Sequence, residues 1–142
     1  MRLVIVDTNV LVAGLLTANA ESPTARVVDG MLNGELLFLL SPALLAEYRA
    51  VLLRPKLVAL HGLTEAEVEH LLTELTANAL WREPAGKGDA PDPNDDYLWA
   101  LLDEDAAAVL VTGDQLLLQK PHSAGRVVQP AEYFDASSGF AD

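Results

Sequence analysis

Four acidic residues spread along the chain lie where a carboxylate is expected to do chemistry: Asp7, Glu47, Asp95 and Asp114. Two of them follow short aliphatic runs, and the other two share the apolar faces of predicted helices. A carboxylate in such a place is unfavourable unless it is paired or binds a cation. Oxygen ligands without cysteine suit Mg²⁺ or Mn²⁺. The pattern therefore predicts a metal site that activates water for attack on a phosphodiester.

Asp7 ends the first aliphatic run, residues 3–6, whose composition predicts a strand buried on both faces. Ligands of open α/β sheets collect at the carboxyl ends of the strands, which is where Asp7 is expected. A second interpretation stays open, in which Asp7 or Thr8 only caps the following helix.

Glu47 belongs to a helix that begins after Ser41 and is predicted to run to about residue 53. Its neighbours at helical spacings of three and four are apolar, so Glu47 shares the apolar face. We interpret Glu47 as a carboxylate directed toward Asp7. The alternative is that it lies at the edge of the apolar stripe and reaches water or pairs with a basic neighbour such as Arg49 or Arg54.

The most acidic stretch of the chain, residues 92–96, precedes another predicted helix. If Asp95 lies in the first turn, Leu98 and Trp99 follow it on the same face, so we prefer Asp95 for chemistry. Asp96 is kept as a supporting residue and as a near substitute for Asp95, because a helix start is predicted only to within about one residue. Capping and the helix dipole also explain acidic residues at this place.

Asp114 follows the aliphatic run 108–111, which predicts a further buried strand. Thr112 lies between that strand and Asp114, and its hydroxyl can hydrogen-bond a carboxylate or a bound water. The alternative for Asp114 is that it caps a short helix through residue 118.

The remaining signals predict an α/β fold, a three-layer α/β/α sandwich with a central parallel sheet of four to five strands. In this arrangement the strand ends that carry Asp7 and Asp114 share one edge of the sheet. We expect one domain over residues 1–142, with residues 135–142 as a loose tail. The other expected elements are helices at 23–33 and 65–78 and strands at 36–40, 80–83 and 126–128.

Composition limits the choice of function. The chain has no cysteine, which excludes disulfides, zinc-thiolate sites and a cysteine nucleophile. Neither a secretion signal nor a membrane-spanning run is recognisable, so a cytoplasmic location is expected. The net charge of −12 repels nucleic acid at long range. A nucleic-acid substrate would need divalent cations or local basic residues, for which Arg49, Arg54 and Lys56 are candidates, although they also suit a solvated helix face.

Four motifs in this order resemble those of PIN-domain ribonucleases, and in particular of toxin components of toxin–antitoxin modules. They are Asp7-Thr8-Asn9-Val10, Ser41-Pro42-Ala43-Leu44-Leu45-Ala46-Glu47, Asp92-Pro93-Asn94-Asp95-Asp96 and Leu110-Val111-Thr112-Gly113-Asp114. The resemblance implies that the four acids named at the outset bind Mg²⁺ or Mn²⁺, supported by Thr8, Asn9 and Thr112. It also implies an RNA substrate, a homodimer and an antitoxin protein that blocks the site.

Two other functions stay open. The first is a module with the same fold that binds RNA or acts as a scaffold with little turnover, which the acidic composition favours. The second is a PIN nuclease that processes RNA or DNA without being a toxin. Metal-dependent cleavage would separate the first from a nuclease, and a neighbouring gene for a small partner would separate the second from a toxin.

Overall fold

The computed structural model describes residues 3–135, in which strands and helices alternate as predicted. The strands are β1 (Val4–Val6), β2 (Leu39–Leu40), β3 (Leu80–Trp81), β4 (Val109–Val111) and β5 (Arg126–Val128). The helices are α1 (Thr8–Leu16), α2 (Pro23–Asn33), α3 (Pro42–Leu52), α4 (Pro55–His61), α5 (Glu65–Asn78), α6 (Asp96–Glu104), α7 (Gln115–Gln119) and α8 (Pro130–Asp135). A 3₁₀ turn, Pro93–Asp95, leads into α6. Except for residue 135, the predicted tail lies outside the described residues.

Five parallel strands form two hydrogen-bonded groups, which confirms the α/β class. One group has the order β1-β4-β5, with Val6, Val111 and Val128 in register, and the other pairs β2 with β3. A single bridge between Val4 and Phe38 joins the groups. The predicted four to five strands are therefore present, but β2 and β3 are too short to form a continuous ladder with β1. Strands β1 and β4 are fully buried, so helices cover both faces.

Local capping explains where the helices begin. The Ser22 and Ser41 hydroxyls accept backbone N–H groups at the starts of α2 and α3, and each is followed by proline at the first helical position. Thr64 and Glu67 form a reciprocal capping box at α5. Pro55 follows α3 as predicted, but it also begins α4, which was not predicted. No helix within residues 3–135 is long and apolar enough to cross a membrane.

The loop before Asp95 packs tightly against α6 at Gly88. Its φ of +78° is in the left-handed region, and a Cβ there would collide with the Asp96 carbonyl and lie 2.6 Å from Ala100 N. Gly88→Ala is therefore expected to lower the free energy of unfolding by about 2–3 kcal/mol in urea titrations. At Gly86 a Cβ would meet open space, so Gly86→Ala should change it by less than about 0.5 kcal/mol. Equal losses would contradict this account of the loop.

Candidate active site

Asp7 and Asp114 lie at the carboxyl ends of two adjacent strands. Asp7 follows β1 and donates its backbone N–H to the Val111 carbonyl, 3.0 Å away, at the end of β4. Asp114 comes three residues after β4 and begins α7, where its carboxylate accepts the Leu116 N–H at 2.9 Å. Asp7 likewise caps α1 by accepting the Thr8 N–H at 2.8 Å. Capping and a role in a site are therefore compatible at both positions, since capping occupies only one oxygen of each carboxylate.

A polar network joins the two strand ends. The Thr112 hydroxyl donates to Asp7 Oδ2 at 2.7 Å and accepts the Asp114 N–H at 3.0 Å. Asn9 Nδ2 donates to Asp7 Oδ2 at 3.2 Å, and Asn9 Oδ1 accepts the Gly113 N–H at 2.9 Å. Thr112 and Asn9 are therefore positioning residues that fix one oxygen of Asp7 and the backbone before Asp114.

Two helices supply the other predicted carboxylates. Glu47 on α3 and Asp95 at the start of α6 line the same cleft of about 560 Å³ as Asp7 and Asp114. Both side chains are half-buried. Glu47 makes no ion pair with a described residue, and Arg49 instead binds Glu69 on α5 at 3.0 Å. The four acids selected from the sequence thus surround one cleft, and the alternative pairing of Glu47 does not occur.

The carboxylates in this cleft perturb one another. Burial raises the pKa of Asp7, and Asp114 raises it further, although the hydrogen bonds from Thr112, Thr8 and Asn9 oppose the shift. Burial, followed by the charges of Asp7, Asp114, Asp92 and Glu47, raises the pKa of Asp95 from 3.8 to about 6. The raised pKa of Asp95 therefore reflects its burial and, after that, repulsion from the neighbouring acids.

Asp96 has a different environment from Asp95. Its Oδ1 accepts the Ala90 N–H at 2.9 Å, which ties the preceding loop to the first turn of α6. It does not line the cleft, whereas Asp95 does. Asp92 caps the 3₁₀ turn through the Asn94 N–H at 3.0 Å. Asp96 and Asp92 thus support the turn that carries Asp95.

Tyr97 also lines the cleft and was not selected from the sequence. Burial, followed by the charges of Asp7 and Glu47, raises its pKa, so its hydroxyl remains a proton donor. The nearby Thr8 hydroxyl lowers the pKa of Tyr97 and so opposes that shift. The buried Thr8 hydroxyl has no partner among the described residues. The sequence feature that could have identified Tyr97 as a residue of the site was its position two residues after Asp95.

The oxygen donors fit a divalent cation that retains water. Among residues 3–135, no three His, Asp or Glu side chains are arranged so that they could hold a metal ion together. Mg²⁺ commonly binds through one or two carboxylates and keeps several waters, which an open cleft permits. The unpartnered Thr8 hydroxyl and the mutual repulsion around Asp95 both favour a cation or water there. The carboxylates of the cleft that could hold it are Asp7, Glu47, Asp95 and Asp114.

The fold and the acidic cleft together define an α/β protein built around carboxylates at the end of a parallel sheet. A PIN domain model matches residues 3–116, so the chain belongs to the PIN-domain family. No curated protein matches the chain significantly. PIN domains are generally nucleases, which indicates a nuclease-type function and a nucleic-acid substrate.

Proposed function

We propose that this chain is a Mg²⁺- or Mn²⁺-dependent endoribonuclease that hydrolyses RNA phosphodiester bonds. The observation that carries the proposal is the convergence of Asp7, Glu47, Asp95 and Asp114 on one cleft, where burial and, after it, the charges of the neighbouring acids raise the pKa of Asp95 to about 6. Such repulsion destabilises a fold unless the site uses the charges to bind a cation. A bound divalent ion would supply a Lewis acid and lower the pKa of a water.

The residues around that cation have separate roles in this proposal. Asp7 and Asp95 would hold the ion, and Asp114 and Glu47 would accept hydrogen bonds from its waters. Thr112 and Asn9 keep Asp7 Oδ2 in place through bonds of 2.7 and 3.2 Å. Tyr97 keeps its proton and can donate a hydrogen bond to a phosphate oxygen in the cleft.

We propose further that the enzyme is the cytoplasmic toxin of a toxin–antitoxin pair and acts as a homodimer. The motif resemblance supports this role, and the exposed leucines Leu16 and Leu60 offer apolar surface for a partner chain. Induced expression should arrest growth of a bacterial host, and co-expression of an antitoxin encoded by a neighbouring gene should relieve the arrest. Growth unaffected by expression of an active nuclease would favour a processing role.

The ribonuclease proposal is tested with purified protein on labelled single-stranded RNA and on DNA of the same sequence. We expect RNA cleavage with Mg²⁺ or Mn²⁺, no cleavage with EDTA, and recovery when metal is added in excess. Cleavage of the DNA alone would favour DNA processing. RNA that is bound but stays intact under each metal would favour the module that binds RNA with little turnover.

A further inference from the structure

One basic side chain, Arg54, lines the acidic cleft. It lies between α3 and α4, where it is exposed, and among the described residues that line the cleft it is the only one with a positive charge. Its guanidinium forms no ion pair or hydrogen bond with any residue in 3–135, although Glu47 lines the same cleft. An unpaired cation beside several carboxylates is available for a ligand.

Arg54 also has no apparent structural task. It is the N-cap residue of α4, but its side chain makes no capping hydrogen bond. The two other basic residues nearby in the sequence differ from it. Arg49 is held by Glu69 in a two-nitrogen contact, and Lys56 does not line the cleft. Of these three basic residues, Arg54 is the one that both lines the cleft and has no ion pair with a described residue.

We infer that Arg54 binds a backbone phosphate of the RNA strand that enters the cleft, an inference that rests on the proposed ribonuclease function. A planar guanidinium can donate two parallel hydrogen bonds to a phosphate. The apolar side chains of Val51 and Leu16 line the same cleft and leave room for sugar and base atoms. Arg54 thus offsets, close to the carboxylates, the repulsion that an acidic chain exerts on RNA.

The experiment compares the parent with Arg54→Ala, Arg54→Lys and Lys56→Ala. Binding of a short fluorescein-labelled oligouridylate is followed by anisotropy against salt concentration in Ca²⁺ buffer, and a gel checks that the RNA is intact. Arg54→Ala should weaken binding about tenfold at low salt and reduce the slope of log Kd against log salt by about 0.7. Its KM in Mg²⁺ should rise similarly, with kcat changed less than about threefold.

The two matched variants distinguish a local contact between Arg54 and a phosphate from a general electrostatic effect of positive charge on RNA binding. Arg54→Lys keeps the charge and should keep the salt slope, while Lys56→Ala should change binding less than about twofold. If Arg54→Ala keeps the parental slope and KM, or if Lys56→Ala matches its loss, the inference about Arg54 fails while the nuclease proposal survives. A parent that neither binds nor cuts RNA would overturn both.

Discussion

Asp7→Asn is expected to lower metal-dependent RNA cleavage by about 10³-fold while leaving the fold intact. Asp7 is the most central of the four acids, since it lies at the end of β1 and its Oδ2 accepts hydrogen bonds from both Thr112 and Asn9. The substitution removes the charge that would bind the cation but preserves the shape. We therefore expect the loss in kcat.

Stability is expected to change little in the same variant. Burial raises the pKa of Asp7, so the ionised carboxylate is itself unfavourable in the fold, and its removal offsets the hydrogen bond that is lost where an NH₂ group replaces one carboxylate oxygen. The free energy of unfolding in EDTA should stay within about 1 kcal/mol of the parent. A large loss of stability would mean that lost cleavage reports unfolding.

Thermal unfolding with and without metal gives a readout independent of cleavage. Mg²⁺ or Mn²⁺ at about 100 times its Kd should stabilise the parent by about 2.7 kcal/mol, and Asp7→Asn should lose most of this gain. Asp29→Asn, an exposed acid on α2, is the matched control and should behave as the parent in both assays. If the metal stabilises the parent and Asp7→Asn equally, Asp7 does not contribute to binding the metal.

The sequence predicts the strand ends of this fold well because their signals are local. A run of aliphatic residues that ends in a polar residue identifies β1 and β4, and parallel strands bring Asp7 and Asp114 to one edge without further information. Capping is equally local, and the predicted bounds of α2 agree with those observed. These features depend on neighbours in the sequence, which a single chain displays.

Features that depend on tertiary contacts were not predictable in the same way. Pro55 both stops α3 and starts α4, and only the packed structure shows that Arg54 lies between two helices beside the cleft. The choice between Asp95 and Asp96 depends on a 3₁₀ turn that rotates the first residues before α6. Tyr97 was missed because an aromatic residue at a helix start ordinarily indicates packing.

Asp95→Asn is expected to lower cleavage by about 10²-fold and at the same time to stabilise the fold above pH 6. Its carboxyl has a pKa raised from 3.8 to about 6 by burial and by Asp7, Asp114, Asp92 and Glu47. The native state therefore binds this proton more tightly than the unfolded chain. Ionisation of Asp95 destabilises the fold progressively as the pH rises from 3.8 to about 6, and fully above it.

The size and the pH dependence of this gain can be measured by unfolding in EDTA. Solvent reaches the carboxyl and screens the repulsion, so we expect a gain of less than about 1 kcal/mol at pH 8. The gain should vanish below about pH 3, where Asp95 is protonated in both states. Asp96→Asn is the matched control, because an asparagine oxygen can still accept the Ala90 N–H and the residue does not line the cleft.

Opposite changes in activity and stability distinguish a functional acid from a structural one. Neutralising a carboxylate that only caps a helix lowers the free energy of unfolding of the protein. Neutralising one that lies among other acids and serves to bind a cation raises it. If Asp96→Asn loses cleavage and Asp95→Asn does not, the turn before α6 presents the other residue to the substrate. If Asp95→Asn is less stable than the parent at pH 8, the four acids do not repel as the geometry requires, and the metal site loses its physical basis.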